Sequence, residues 1–255
     1  MMRDTVFTVD YNKVVTKGVH EIRLISERRL PVLHCGQFLH LEVPGLASVL
    51  RRPFCLYRFD AQSVTIVVAV VGRGTELLCR ARPGDTMRAV LPLGNGFVLA
   101  PEHKRIALIG GGVGCAPLAA VGLCYPDRTY RAYLGFSGKD KICLTEDFAF
   151  ADTTICTDDG SVGYQGYPTD ACRADMDDFK PDVLLVCGAD GLIKAAAKLS
   201  LATGVPGYVS TESRMGCGVG ACLVCACAVK APDGSVVHKR ACADGPVFSL
   251  EELVL

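Results

Sequence analysis

At 255 residues and 50% hydrophobic content, the chain exceeds the usual single-domain size and has material for two cores plus a short appendage. Its 27 basic and 27 acidic residues cancel, and no basic run is long enough to neutralise a phosphate backbone or an anionic membrane surface, which argues against nucleic acid and membrane as partners. No apolar run approaches a membrane span, and the N-terminal stretch MMRDTVFTVDYNKVV carries Asp4 and no apolar leader core. A cytoplasmic chain with reduced thiols is therefore expected, despite its 14 cysteines.

Up to about residue 100, the apolar stretches HEIRLIS, GQFLHLEVP and SVTIVVAVV are separated by turn-prone Pro and Gly residues, which predicts antiparallel strands. A small β-barrel closes such strands without exposed edges. Only TELLCRAR, before the turn Pro83-Gly84-Asp85, reads as helix. From His103 the rhythm changes: KRIALIG, TYRAYLG, TTICT and DVLLVCG read as strands, with APLAAVGLC and GLIKAAAKLS as helices between them. That alternation predicts a parallel sheet flanked by helices. The last 45 residues read as a loop-rich appendage holding a cysteine cluster. The expected segments are 1–101, 102–210 and 211–255. Cysteines elsewhere, such as Cys79, Cys124, Cys143 and Cys187, are expected to pack as small hydrophobes.

Three stretches carry chemistry. Gly110-Gly111-Gly112-Val113-Gly114 lies between the strand RIALI and a helix starting near Ala116, where glycines and a helix N-terminus suit a pyrophosphate. In that context nucleotide binding is the better reading than a merely tight turn. Arg51-Arg52-Pro53-Phe54-Cys55 and Gly72-Arg73-Gly74-Thr75 form a second pair of motifs. An arginine fork beside a rigid proline, and a glycine turn entering a helix, both suit the diphosphate of a flavin.

The third stretch is MGCGVGACLVCAC. Cys217, Cys222 and Cys225 give C-x4-C-x2-C, and Cys242 follows after sixteen intervening residues, the plant-type ferredoxin spacing for a 2Fe-2S cluster. A zinc site is the competing reading, but zinc commonly takes its cysteines as two short hooks, whereas here three come from one loop. Cys227 falls on the strand-like CACAVKA and is expected to pack. Asp158-Asp159 after TTICT would repel a 2′-phosphate and so favour NAD, and TDDGS is equally a good turn sequence.

With these residues in view, the chain resembles the ferredoxin–NADP reductase superfamily. Within it, the chain is similar to the electron transfer subunits of class 1B dihydroorotate dehydrogenase. The resemblance rests on GQFLHLEVP, LRRPFCL, GRGT, LPLGNGF, IALIGGGVGCAPL, TDDGSVGYQG, VCGADGLIKA, STESRMGCGVGACLVCAC and ACADGPVF. It implies an FAD-binding barrel, an NAD-binding α/β domain and a C-terminal 2Fe-2S segment. By position it assigns the flavin to Arg52, Pro53, Phe54 and Cys55, to Val67, Val68 and Ala69, and to Gly74 and Thr75. It assigns the pyridine nucleotide to Gly111, Gly112 and Gly114, and the cluster to Cys217, Cys222, Cys225 and Cys242. Cys55 stands where the family usually has Ser or Thr, and Val68-Ala69 where a Tyr-Arg pair is common. The implied partner is an FMN-containing dihydroorotate dehydrogenase catalytic subunit of pyrimidine synthesis, two copies of each chain forming a heterotetramer. A subunit serving another redox partner, such as a hydrogenase or glutamate synthase, is the alternative within redox enzymes. A zinc-bearing regulator is the alternative outside them.

Overall fold

The computed structural model describes residues 2–45 and 50–255 of the chain. In the N-terminal region a side-chain period of two becomes seven antiparallel strands. They are β1 (Arg3–Thr16), β2 (Val19–Ile25), β3 (Phe38–Leu41), β4 (Arg52–Cys55), β5 (Arg58–Phe59), β6 (Ser63–Ala69) and β7 (Thr86–Leu93), in the order β4-β3-β7-β1-β2-β6-β5. The two ends of that order are consecutive in the chain. Only Leu56 and Tyr57, both fully buried, separate them, so Arg52–Phe59 pairs with β3 at one end and β6 at the other and closes the sheet into the expected barrel. Phe7, Ile22, Leu24, Leu39 and Ile66 fill it, and Leu78 of the short α1 (Arg73–Leu78) plugs one side.

The second unit follows from near-continuous apolar strands, which only a sheet covered on both faces can hide. Its elements are β8 (Arg105–Gly111), α2 (Cys115–Cys124), β9 (Thr129–Phe136), β10 (Asp152–Thr157), β11 (Tyr164–Gln165), α3 (Pro168–Phe179), β12 (Val183–Cys187), α4 (Asp190–Thr203) and β13 (Gly207–Ser210). Strands β8 to β13 pair in parallel in the order β11-β10-β9-β8-β12-β13. Leu118 and Val121 of α2 pack on one face of the sheet. Phe179 of α3, with Ile193 and Leu199 of α4, packs on the other. Helix α3 is absent from the sequence reading: PTDACRADMDDF offers few apolar residues and buries little beyond Ala171, Cys172 and Phe179. Pro168 at its first turn and Lys180 in the left-handed region past its end supply the start and stop.

The C-terminal stretch corrects the picture of a loop-rich appendage. Beyond the cysteine loop it forms the hairpin β14 (Ala226–Lys230) and β15 (Val236–Arg240), then β16 (Val247–Ser249). Strand β16 pairs antiparallel with β13 and extends the second sheet. Phe248, Val229, Cys225 and Cys242 belong to the same apolar core as α3 and α4. Asn95, just after β7, ties this end to the barrel: its Nδ2 donates to the Val247 carbonyl at 2.9 Å and its Oδ1 accepts from the Val247 N–H at 2.9 Å. Asp147 accepts from both Tyr57 and Arg58, which joins the barrel to the second unit on another side.

Candidate functional site

In the parallel sheet, chain order runs outward from β8 to β10 on one side and through β12 and β13 on the other. The topological switch point therefore lies between β8 and β12, where open α/β sheets bind ligands beyond the carboxyl ends of their strands. Two turns cross there. A side chain at Gly114 would meet the Cys187 carbonyl at 2.6 Å, and one at Gly188 would meet the Gly111 nitrogen at 3.2 Å, so the crossing admits only glycine. Gly111 and Gly112 open onto a cleft of about 1120 Å³ also lined by Gly135, Lys141, Asp158 and Glu212. Of the two adjacent aspartates, Asp158 faces this cleft. Asp159 instead accepts the Ser161 N–H at 2.9 Å, as the turn reading of TDDGS expects.

A second cleft of about 340 Å³ lies between the barrel and the nucleotide turn. Arg52, Pro53, Phe54 and Cys55 of β4, Val67 and Ala69 of β6, Thr75 of α1 and Gly114 all line it. Val68, on the opposite side of the strand, is fully buried in the barrel core and does not reach the cleft, as strand alternation requires. Gly74 lies against Arg52, since a side chain there would meet the Arg52 Nε at 3.3 Å; the two flavin motifs thus form one surface. Thr75 Oγ1 accepts from the N–H groups of Val71 and Gly72 at 2.9 and 3.2 Å and donates to the Gly72 carbonyl, which sets the turn. Arg51 points elsewhere, pairing with Asp4 at 3.1 Å.

Sequence reasoning missed several residues of this cleft. Cys187, assigned only a packing role, lines it together with Ser210, Thr211, Glu212 and Met215. The available signal was positional: all end or follow β12 or β13 at the carboxyl edge beside the switch point. Glu212, an exposed residue, lines both clefts, and its carboxyl is raised by the protein packed around it and then by the charge of Asp190. Burial, followed by the Glu212 charge, pushes the Cys55 thiol up to about 11, so it is neutral at physiological pH. Ser210, buried at the end of β13, also lines this cleft, its hydroxyl against the Cys55 and Cys187 thiols. The arginine set against the glycine turn, with Thr75 and Gly114 on the same wall, fits a flavin diphosphate.

The cysteines lie directly beyond Glu212. Cys217 and Cys222 form one pair, each donating its backbone N–H to the other's Sγ, while Cys225 and Cys242 are both buried and form the second. A two-iron cluster takes two thiolates per iron, whereas one tetrahedral zinc needs all four around a single point. Backbone donors surround the sulfurs. Val219, Ala221 and Cys222 N–H groups reach Cys217 Sγ at 3.4, 3.3 and 3.4 Å, Cys217 N–H reaches Cys222 Sγ at 3.3 Å, and Gly220 N–H reaches Cys242 Sγ at 3.1 Å. The Val219 N–H above all lowers the Cys217 thiol to about 6. Burial and then Cys225 push Cys242 up to about 12. These amides aimed at the thiols fit a thiolate-held anionic group such as an iron–sulfur cluster. Cys227 stays outside the set, donating to the Lys239 carbonyl at 3.4 Å within the hairpin.

Comparison with known proteins agrees with this geometry. Residues 212–254 match the iron-sulfur cluster binding domain of dihydroorotate dehydrogenase B. The electron transfer subunit of dihydroorotate dehydrogenase B (NAD(+)) from Geobacillus kaustophilus is 40% identical over 260 residues, covering 97% of each chain. Its counterpart from Streptococcus mutans is 37% identical over 88% of each chain. Among solved structures, an NADH-dependent reduced ferredoxin-NADP oxidoreductase superposes with a TM-score of 0.86 at 26% identity, covering 97% of this chain and 89% of that one. Phthalate dioxygenase reductase, at 18% identity and a TM-score of 0.67 over 93% of this chain and 77% of its own, shares the fold. The chain belongs to the family of dihydroorotate dehydrogenase B (NAD(+)) electron transfer subunits.

Proposed function

We propose that this chain carries electrons between NAD and the catalytic subunit that oxidises dihydroorotate in pyrimidine synthesis, with FAD and a 2Fe-2S cluster bound along the way. The observation that carries the reading is a wall shared by two clefts, from which the chain runs straight into the cysteine loop. Glu212 lines the nucleotide and flavin clefts, and the chain reaches the first cluster cysteine five residues later. When bound, the flavin supplies the exchange between two-electron and one-electron chemistry that a nicotinamide and an iron–sulfur cluster do not share.

The residues divide the work. Arg52, Gly74 and Thr75 hold the flavin diphosphate, while Pro53, Phe54, Cys55, Val67 and Ala69 flank its ring and Val68 supports them from the core. Gly111, Gly112 and Gly114 admit the nicotinamide nucleotide, and the Asp158 carboxylate disfavours a 2′-phosphate, so NAD is preferred to NADP. Cys217, Cys222, Cys225 and Cys242 hold the cluster. Residues 1–101 form the flavin-binding barrel, 102–210 the NAD-binding domain and 211–255 the cluster segment.

The partner is an FMN-containing catalytic subunit, two of each chain making a heterotetramer. Leu223 and Val224, 62% and 59% exposed on the cluster loop, form the apolar rim it covers. The complex works in the cytoplasm; no helix among the described residues is long and apolar enough to cross a membrane. Mixing the two purified subunits tests the reading. Dihydroorotate-dependent NADH formation is expected from the mixture and from neither subunit alone; a catalytic subunit that reduces NAD at the same rate unaided would overturn it.

A further inference from the structure

The cluster loop is held from behind by a residue that is not itself a ligand. Arg240, the last residue of β15, donates from its Nη1 to the Gly220 carbonyl at 3.1 Å. That carbonyl and the Ala221 N–H are two ends of one planar peptide group, and the Ala221 N–H donates to Cys217 Sγ at 3.3 Å. Gly220 also donates its own N–H to Cys242 Sγ at 3.1 Å. The guanidinium therefore pulls on a residue whose two flanking peptide groups donate one hydrogen bond to each thiol pair.

Arg240 is itself fixed. Asp244 accepts its backbone N–H at 2.8 Å, its Nε at 2.9 Å and its Nη2 at 3.1 Å, and donates its own N–H back to the Arg240 carbonyl at 2.8 Å. A guanidinium bound through both Nε and Nη2 has little freedom left, so its remaining arm is aimed. Gly220 has φ +84°, and a side chain there would meet Ala243 at 3.0 Å and the Arg240 guanidinium at 3.3 Å, so the loop approaches this clamp as closely as glycine permits.

We propose that Arg240, locked by Asp244, is a positioning residue for the iron–sulfur cluster, acting through the Gly220–Ala221 peptide to keep two N–H donors on the cysteine sulfurs. Donors to sulfur stabilise the more negative, reduced state and raise the potential. The clamp thus keeps the cluster reducible, and this rests on the 2Fe-2S reading above.

The test uses the sign of a shift. Midpoint potential and electron paramagnetic resonance are measured on the anaerobic holoprotein, beside Arg240→Lys and Asp244→Ala. If charge alone mattered, Arg240→Lys would change nothing and removal of the Asp244 carboxylate would raise the potential. Positioning requires both to lower it, on the order of tenfold in the reduction equilibrium, which is about 59 mV for one electron, with an altered resonance spectrum. A raised potential in Asp244→Ala, or an unmoved one in Arg240→Lys, overturns the proposal. Should Asp244→Ala fail to retain its cluster, Asp244→Glu keeps the charge but displaces the carboxylate: a lowered potential supports the clamp and an unchanged one refutes it. A parent protein that binds no iron or sulfide would instead refute the cluster reading.

Discussion

At the scale of single residues, the protein assigns opposite chemistry to cysteines of the same sequence type. Cys217 is lowered to about 6, chiefly by the Val219 N–H, while Cys55 is pushed up to about 11, chiefly by burial. In the metal-free protein, alkylation followed by mass spectrometry across pH should label Cys217 with a midpoint near pH 6 and leave Cys55 unlabelled through neutrality; equal labelling of both at pH 7 would contradict the assignment. A folded-state value below that of a free thiol means that the Cys217 thiolate contributes stability above the free thiol's range and loses it as pH falls through about 6. Apo-protein should therefore melt lower at pH 5 than at pH 8. Thr75→Ala removes the acceptor of the Val71 and Gly72 N–H groups, and should cost about 1 kcal/mol of stability while weakening flavin retention, both measurable by flavin-monitored melting.

At the scale of elements, what was legible depended on whether burial follows a simple period. The apolar runs of β6, β8 and β12 and the helices α2 and α4 announce themselves because each buries a continuous or regularly spaced apolar set. Helix α3 does not, since five of the twelve residues of PTDACRADMDDF are charged and its few apolar residues contribute small patches to the sheet. Strand β16 escapes for another reason. A three-residue strand has no period to read, and its partner β13 lies 37 residues earlier, Ser210 pairing with Val247. The motif cysteines and glycines were readable from spacing, because a cluster or a crossing turn dictates residue type directly. Ser210, Glu212 and Asn95 carry no such signature and take their roles from where the strands end. Because β16 is built into the sheet, Phe248→Ala should destabilise the whole α/β unit by about 3–5 kcal/mol rather than merely loosen the cluster segment. Thermal unfolding followed by far-ultraviolet circular dichroism would report one transition moved downward, and loss of only a minor early phase would contradict that coupling.

At the scale of the molecule, the two clefts share a wall, and the chain leaves that wall for the cysteine loop. The barrel offers β4 and α1 to one cleft, the switch point of the parallel sheet opens the next, and the stretch after β13 passes both clefts before it reaches the thiols. Asn95 and Asp147 hold the barrel against the rest, so the flavin cleft keeps its shape only while the units stay docked. Substituting Asn95 by Ala leaves the Val247 N–H and carbonyl without their partner and should cost roughly 1–3 kcal/mol, with loss of flavin preceding unfolding. The most direct measurement is the visible and paramagnetic resonance spectrum of anaerobically purified chain, with flavin, iron, sulfide and zinc quantified, before and after NADH. One flavin, two irons and two sulfides per chain, all reduced by NADH, is the expected result; zinc on the cysteines, or a flavin-loaded chain whose iron–sulfur signal NADH leaves unchanged, would contradict the relay.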